Sequence, residues 1–348
     1  MQLNQITPLD FKNVAKLPDS HRWTLSSENP SQDPLTQESV PIIDLNDPHA
    51  PSLIREANEN WGMFQLTNHG VPITLMQEIQ SQTQRLFALP ADQKLLAARS
   101  PDGLTGYGMA RISSFLNKQL WFEGFTIIGS PAQHASQFWP NDYTTFCDVV
   151  EEYQKEMKGL SERLIGLMFK SLGLAQEDVK WFTTKSETQH QPQSVLQLNS
   201  YPICPEAGQA MGLAPHTDST LLTLVHQNNA SGLQVFREGS GWVPVHPVDG
   251  ALVVNIGDLM QILSNGRFKS VLHRAVVNET YHRTSVVHFY GPPMDAEVSP
   301  LMHLIDFDHP VLYRAVSWKE YLDAKKIHFD KTLDFIKQDA LGVPKNGH

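Results

Sequence analysis

At 348 residues the chain is long enough for one large domain or two smaller ones and for a sizeable core. Its 37 acidic residues against 27 lysines and arginines give a formal net charge of −10, which argues against a nucleic-acid or anionic-membrane surface. Only Cys147 and Cys204 are present, without a metal-knuckle spacing, so free thiols in a reducing compartment are expected.

Residues 1–38 are polar and Pro-punctuated and read as an extended arm over the domain. The start, MQLNQITPLDFKNVAKLPDS, has no apolar signal core, and no run approaches the roughly 20 apolar residues that span a bilayer, so a cytosolic address is expected. PIIDL at 41–45 reads as a strand, and 52–61 as a helix with Leu53, Ala57 and Trp61 on one face. GMFQLTNHGVP supplies a strand, a bend at Asn68–Gly70 and a second helix from Pro72. His69 stands among turn formers rather than acids and reads as turn packing. The aromatic, glycine-punctuated stretch from Arg99 to Ile128 suits either a lid or outer strands of a sheet. From Tyr143 to Leu172, Phe146, Val149, Val150, Tyr153, Met157, Leu160, Leu164 and Met168 recur at helical spacing. This pattern marks a long core helix that supports the sheet.

Past Gln191 the pattern becomes alternating. Strands are expected at Leu221–His226, Leu233–Phe236, Trp242–Val245, Leu252–Ile256, Lys269–Val277 and Arg283–Tyr290. Short strands separated by Gly, Asn and Pro turns indicate a mainly β fold with flanking helices and a double-stranded β-helix, or jelly-roll, core. A short helix follows Gly257, with Asp258 as its expected cap. A last helix is expected from Trp318 to Ile336. The organisation reads as an N-terminal α/β region over 1–190, a catalytic jelly roll over 191–300 and a C-terminal helical segment over 301–348.

His216 and Asp218 stand two apart in APHTDSTLLTLV, and in an extended strand such a pair shares one face. His273, in FKSVLHRAVV, lies far enough downstream for the sheet to fold back and bring it opposite. Two histidines and one carboxylate form the facial triad of non-haem Fe(II) oxygenases, which leaves positions open for a chelating cosubstrate and dioxygen. Arg283 and Ser285 are again an i, i+2 pair, and a guanidinium beside a hydroxyl suits a carboxylate. With 15 histidines in the chain, an H-x-D tripeptide alone reads as a surface strand or turn. The later His, Arg and Ser carry the argument. His282 and His288 have the parity opposite to Arg283 and Ser285, and His226 and His246 lack a carboxylate partner at strand spacing. Asn199 and Tyr201 form another same-face pair, open either to ligand binding or to ordinary strand packing.

HTD at 216–218, HRAVV from His273, R-x-S at 283–285 and LNSYPICP at 198–205 resemble the plant-type 2-oxoglutarate and Fe(II)-dependent dioxygenases related to isopenicillin N synthase. Within that family, MGLAPHTDSTLLTLVHQNNASGLQVF and GYGMARISSFLNKQLWFEGFTIIGSP resemble the branch that oxidises gibberellins at C3 of the A ring, and the similarity runs over nearly the whole chain. The resemblance implies Fe(II) at His216, Asp218 and His273, and 2-oxoglutarate at Arg283, Ser285, Tyr201 and Asn199. Ascorbate is implied as reductant, dioxygen as second cosubstrate and a diterpenoid acid as organic substrate, with part of the Tyr107–Phe122 segment against it. The expected protein is a monomer without nucleic-acid or membrane partners. Two departures from the family pattern, Pro215 before the first ligand and HFYGPP at 288–293, keep oxidation at another carbon or of another precursor open. From other classes, a zinc or manganese hydrolase would leave Arg283 and Ser285 without a role, and a silent hormone-binding protein would have no need of the full triad.

Overall fold

The computed structural model describes residues 9–11, 14–24, 38–100, 103–110, 113, 115–174 and 193–337. Its strands in chain order are β1 (Ile42–Asp44), β2 (Met63–Thr67), β3 (Gly106–Gly108), β4 (Glu123–Ile127), β5 (Gln193–Tyr201), β6 (Met211–His216), β7 (Leu222–Gln227), β8 (Leu233–Arg237), β9 (Gly241–Pro244), β10 (Leu252–Ile256), β11 (His273–Val276) and β12 (Arg283–Gly291). Eight of them form a major sheet in the order β1-β2-β10-β7-β12-β5-β4-β3, and four form a minor sheet, β6-β11-β8-β9. Valines from both sheets (Val225, Val235, Val243, Val253, Val287) fill the space between them, as expected of a jelly roll.

The outer face of the major sheet is covered by helices α1 (Ala50–Asn60), α2 (Ile73–Ala88), α3 (Ala91–Leu95), α4 (Ala132–Phe138) and α5 (Thr144–Ser171). The 28-residue α5 buries Phe146, Val150, Tyr153, Met157, Leu164 and Met168, the stripe legible in the sequence. In α1 the expected face is rotated. Ile54, Ala57 and Asn58 are buried while Leu53 is exposed, because Ala50, Ile54 and Ala57 make the better i, i+4, i+7 stripe against the core. His69 is a turn residue, its Nε2 on the Gly250 carbonyl oxygen at 2.9 Å and its Nδ1 accepting from the Val71 N–H at 3.2 Å.

The 99–128 stretch provides outer strands: β3 pairs with β4, and β4 with β5. Strands from before residue 190 are thus hydrogen-bonded directly to strands from after it. Tyr107 points to the helix-covered face, where its hydroxyl donates to Glu123 Oε1 at 2.6 Å. Described parts of the N-terminal arm pack on the 119–122 stretch, with Leu17 buried and Trp23 Nε1 donating to the Gln119 carbonyl at 2.8 Å; the remainder of the arm lies outside the described residues.

Helix α6 (Asp258–Leu263) follows β10. Gly257, not Asp258, is its cap residue, and no side chain caps it, because the Asp258 carboxylate is engaged elsewhere. A short ribbon of β13 (Glu297–Val298) and β14 (Val316–Ser317) precedes the C-terminal helices. The helix expected over 318–336 is broken into α7 (Trp318–His328) and α8 (Thr332–Ile336) by a 3-10 turn at 329–331. Phe329 has φ 46°, a positive value that takes the backbone out of the right-handed helix, and its ring stacks on Phe115 with centroids 5.1 Å apart. Among the described residues no helix is long and apolar enough to cross a membrane.

Candidate metal centre

His216 ends β6 and His273 begins β11, and the two are direct partners in the antiparallel register. Their rings are 4.3 Å apart. Strand β6 stops at His216, so Asp218 does not share a strand face with it as the spacing suggested. Asp218 reaches the site from the loop beyond, its Oδ1 3.7 Å from His216 Nε2 and 3.6 Å from His273 Nε2. The ligand atoms of these three residues all lie within 4.8 Å of one another.

The protonation states suit a metal. His216 Nδ1 lies 2.8 Å from the Ala214 carbonyl oxygen and His273 Nδ1 3.2 Å from that of Val271. Each Nδ1–H therefore donates to a carbonyl, and each Nε2 lone pair is left facing the site. Burial, aided by the neighbouring His273, pushes the His216 pKa down to about 4, so its ring is neutral near pH 7. Burial works to raise the Asp218 pKa, but the two imidazoles and hydrogen bonds from Thr223 and Asn255 outweigh it and hold the carboxyl below its ordinary value. Two imidazoles and one carboxylate, convergent and largely buried, fit a divalent first-row ion with open positions.

A second polar cluster lies on the inner face of the major sheet. Arg283 faces Tyr201 and Ser285 faces Asn199 across β12 and β5, so all four expected positions occupy adjacent rungs of one face. The Arg283 guanidinium stands 4.9 Å from the Tyr201 ring centroid, and Asn199 Nδ2 donates to Ser285 Oγ at 3.2 Å. Gln227, which the sequence reading missed, accepts from Arg283 Nη2 at 2.9 Å. Its place at the end of β7, on the parity of Thr223 and Val225, was the available signal. Arg283 is 2 % exposed, yet its Nε and Nη1 have no hydrogen-bond partner among the described residues. A buried guanidinium without a carboxylate is costly, by several kcal/mol after relaxation, unless an anion completes it. Gly212 and Gly232 bring the minor sheet onto this cluster: a Cβ would stand 2.8 Å from the Tyr201 ring at the first and 2.9 Å from Arg283 Cδ at the second.

Pro215 sits in a β-bulge. Leu213 to His216 on β6 face only Ala275 to His273 on β11, and the residue without an N–H falls on the edge strand where it costs least. In HFYGPP, His288 and Tyr290 face α5, within reach of Ser161 and Glu162, and a Cβ on Gly291 would strike the Trp318 ring at 2.4 Å. The polar residues of that segment therefore lie on the face of β12 away from Arg283 and Ser285, against α5.

Residues 192–292 match the 2OG-Fe(II) oxygenase superfamily, and residues 40–144 match the N-terminal region described for the non-haem dioxygenase in morphine synthesis. The chain is 51% identical to gibberellin 3-beta-dioxygenase 1 of Pisum sativum over 345 residues, 97% of this chain and 91% of that protein. It is 51% identical to gibberellin 3-beta-dioxygenase 1 of Arabidopsis thaliana over 333 residues, 94% of this chain and 92% of that one. Among solved structures it resembles JOX2 in complex with 2OG, Fe and JA, with a TM-score of 0.81 at 30% identity over 94% of this chain and 95% of that one. The rice dioxygenase for auxin oxidation is similar too, with a TM-score of 0.72 at 26% identity over 86% of this chain and 100% of that one. The chain belongs to the plant 2OG-Fe(II) oxygenases, alongside the gibberellin 3-beta-dioxygenases.

Proposed function

We propose that His216, Asp218 and His273 hold Fe(II), that Arg283, Ser285, Tyr201 and Asn199 hold the distal carboxylate of 2-oxoglutarate, and that the chain hydroxylates a gibberellin precursor at C3, in the β configuration. The observation that carries this reading is the buried Arg283, with two unpartnered donors on the inner face of the major sheet, opposite the minor sheet that carries His216 and His273. The spacing supports it. Gly232, whose backbone abuts Arg283, accepts a hydrogen bond from Val276 at 2.8 Å. Val276 is three residues along β11 from His273, roughly 10 Å of strand. A five-carbon dicarboxylate that chelates the metal with its 2-oxo acid end spans such a gap.

Iron and 2-oxoglutarate, held by these residues, would supply oxygen activation, with one atom of dioxygen ending in succinate as 2-oxoglutarate loses carbon dioxide and the other in the hydroxyl that replaces a substrate C–H. The chain's own residues bind and orient. His216 and His273 turn their Nδ1 atoms to backbone carbonyls and present Nε2 to the site, and Asp218 brings the one negative charge. Arg283 supplies the fork that pairs with the two oxygens of the distal carboxylate, and Gln227 fixes the plane of that fork. Burial keeps the Tyr201 phenol protonated, against the pull of Arg283, so that it can donate.

A rigid, mostly apolar diterpenoid acid needs an apolar wall. Of the 107–122 segment, Phe122, tilted against Tyr201 at 5.4 Å, and the partly buried Met109 and Leu116 suit that wall, whereas Tyr107 faces the helices. Dioxygen and the precursor are small molecules. The net charge of −10 and the two buried free thiols support a cytosolic setting for their use.

The test is anaerobic reconstitution with Fe(II), 2-oxoglutarate and ascorbate, followed by aeration with C20 and C19 gibberellin precursors separately and mass spectrometry of the products. One oxygen gained at C3 with stoichiometric succinate is expected. Oxygen at another carbon would overturn the regiochemistry and keep the enzyme class, and no succinate with any precursor would overturn the substrate.

A further inference from the structure

Between His216 and Asp218 stands Thr217, and it is tied to the C-terminal helix. The fully buried Asp258 accepts three hydrogen bonds on Oδ2: from the Thr217 hydroxyl at 3.0 Å, the Tyr321 hydroxyl at 2.7 Å and the Lys325 ammonium at 2.7 Å. Lys325 Nζ also donates to the Thr217 carbonyl at 2.8 Å and to its hydroxyl at 2.9 Å. The backbone joins in. The Asp258 N–H donates to the Asp218 carbonyl at 2.7 Å and the Leu259 N–H to that of Thr220 at 3.0 Å. A Cβ on Gly257 would lie 2.1 Å from the Thr220 carbonyl oxygen, so only glycine lets the start of α6 sit this close to the loop.

This network answers a mechanical problem. Strand β6 ends at His216, so no sheet ladder holds Thr217 or Asp218, yet Asp218 has to keep its carboxylate within 4 Å of two imidazoles. A buried ammonium and carboxylate stay in register only when their geometry is good and further hydrogen bonds support them; here Thr217 and Tyr321 do so on Asp258 Oδ2, while Oδ1 has no hydrogen-bond partner among the described residues. Groups behind metal ligands orient them, and their loss typically costs about 10- to 100-fold in metal affinity.

We propose that Lys325, Tyr321 and Asp258 form a brace on Thr217 that sets the separation and orientation of His216 and Asp218, so that α7, which lies outside both sheets, is a positioning element of the metal centre. The inference rests on the metal-site reading above. Lys325, Tyr321 and Asp258 touch neither substrate nor metal in this role; the three side chains act through Thr217, and Asp258 also through its backbone N–H on the Asp218 carbonyl.

The test titrates Fe(II) anaerobically into full-length protein with saturating 2-oxoglutarate, following the visible charge-transfer absorption of the chelate. The thermal midpoint of each metal-free protein is measured alongside. Lys325→Met and Thr217→Val are each expected to weaken Fe(II) binding by about 10- to 100-fold. The two changes combined should cost little more than either alone, since they break one brace. At saturating iron, 2-oxoglutarate affinity should change by less than about threefold, because Arg283 is untouched. Lys326→Met, at an exposed neighbour paired with Asp323, is the control and should bind like wild type.

Iron affinity within about twofold of wild type in both Lys325→Met and Thr217→Val would overturn the brace. So would a loss of iron affinity matched by loss of 2-oxoglutarate affinity and a collapsed midpoint, which would mark general unfolding. If Lys325→Met does not fold, Thr217→Val decides, since it removes one hydroxyl and keeps the shape. Wild-type protein that binds no Fe(II) would instead overturn the metal-site reading, and the brace with it.

Discussion

The two faces of β12 are both buried but handle polar atoms differently. Inward it turns Arg283, Ser285 and Val287, and outward, beneath the helices, Thr284, Val286, His288 and Tyr290. Each face holds polar atoms without a hydrogen-bond partner among the described residues: Arg283 Nε and Nη1 inside, Thr284 Oγ1 and His288 Nε2 outside. An unpartnered buried atom therefore does not by itself mark a site. What separates the faces is charge. His288 accommodates burial by staying neutral, its pKa pushed down to about 3, whereas a guanidinium does not shed its proton in a protein and calls for an anion.

The largest effect expected on the inner side is that of Asp218→Ala. It should leave no bound iron and lower turnover by at least about 1000-fold, and wild-type iron content and activity in that variant would end the triad assignment. Arg283→Leu sharpens the contrast of charge. It should raise the KM for 2-oxoglutarate by roughly 30- to 1000-fold, the range that corresponds to losing one partner of a buried charge pair. The metal-free protein should be no less stable in denaturant, since a buried cation without its anion has been removed. A marked loss of stability there would make Arg283 a structural residue and break the comparison.

On the outer face the expectation is a pH dependence. Burial depresses the pKa of His288 to about 3 and that of His226 to about 4. In the unfolded chain each takes up a proton below about pH 6.5, which the folded chain refuses. Their contribution to stability is therefore intact above pH 6.5 and lost as pH falls toward the folded values. Between pH 7 and 5 each histidine should cost about 2 kcal/mol, and His288→Leu should flatten the acid limb by that amount in urea titrations. The smallest effect is that of Tyr201→Phe, which removes one donor and should raise the KM for 2-oxoglutarate by about 2- to 10-fold at unchanged iron affinity.

The convergence of His216, Asp218 and His273 was legible because these residue types are rare together, although Asp218 arrives from a loop and not by strand parity; His282 and His288 were set aside on parity alone, and the structure places both on the outer face. The jelly roll and α5 were legible through period. Other features depend on contacts between distant segments, which no local pattern encodes. Asp258 reads as a helix cap until Tyr321 and Lys325 are brought to it from more than 60 residues away. The break at Phe329 interrupts a stretch whose composition favours a continuous helix, and Leu53 and Ile54 are equally apolar, so only packing chooses between them. Gln227 carries no signal beyond its parity.

Strand β6 has one further consequence. It lies at the border of the minor sheet, where a row of backbone donors and acceptors offers a template for pairing with another chain. Pro215 has no N–H to offer and the bulge around it twists the strand away, while the Met211 carbonyl is already taken by the Trp121 N–H at 2.8 Å. The border that carries His216 is thereby made a poor template for strand addition, and the first residue of the proposed metal centre is kept from being drawn into a neighbour's sheet.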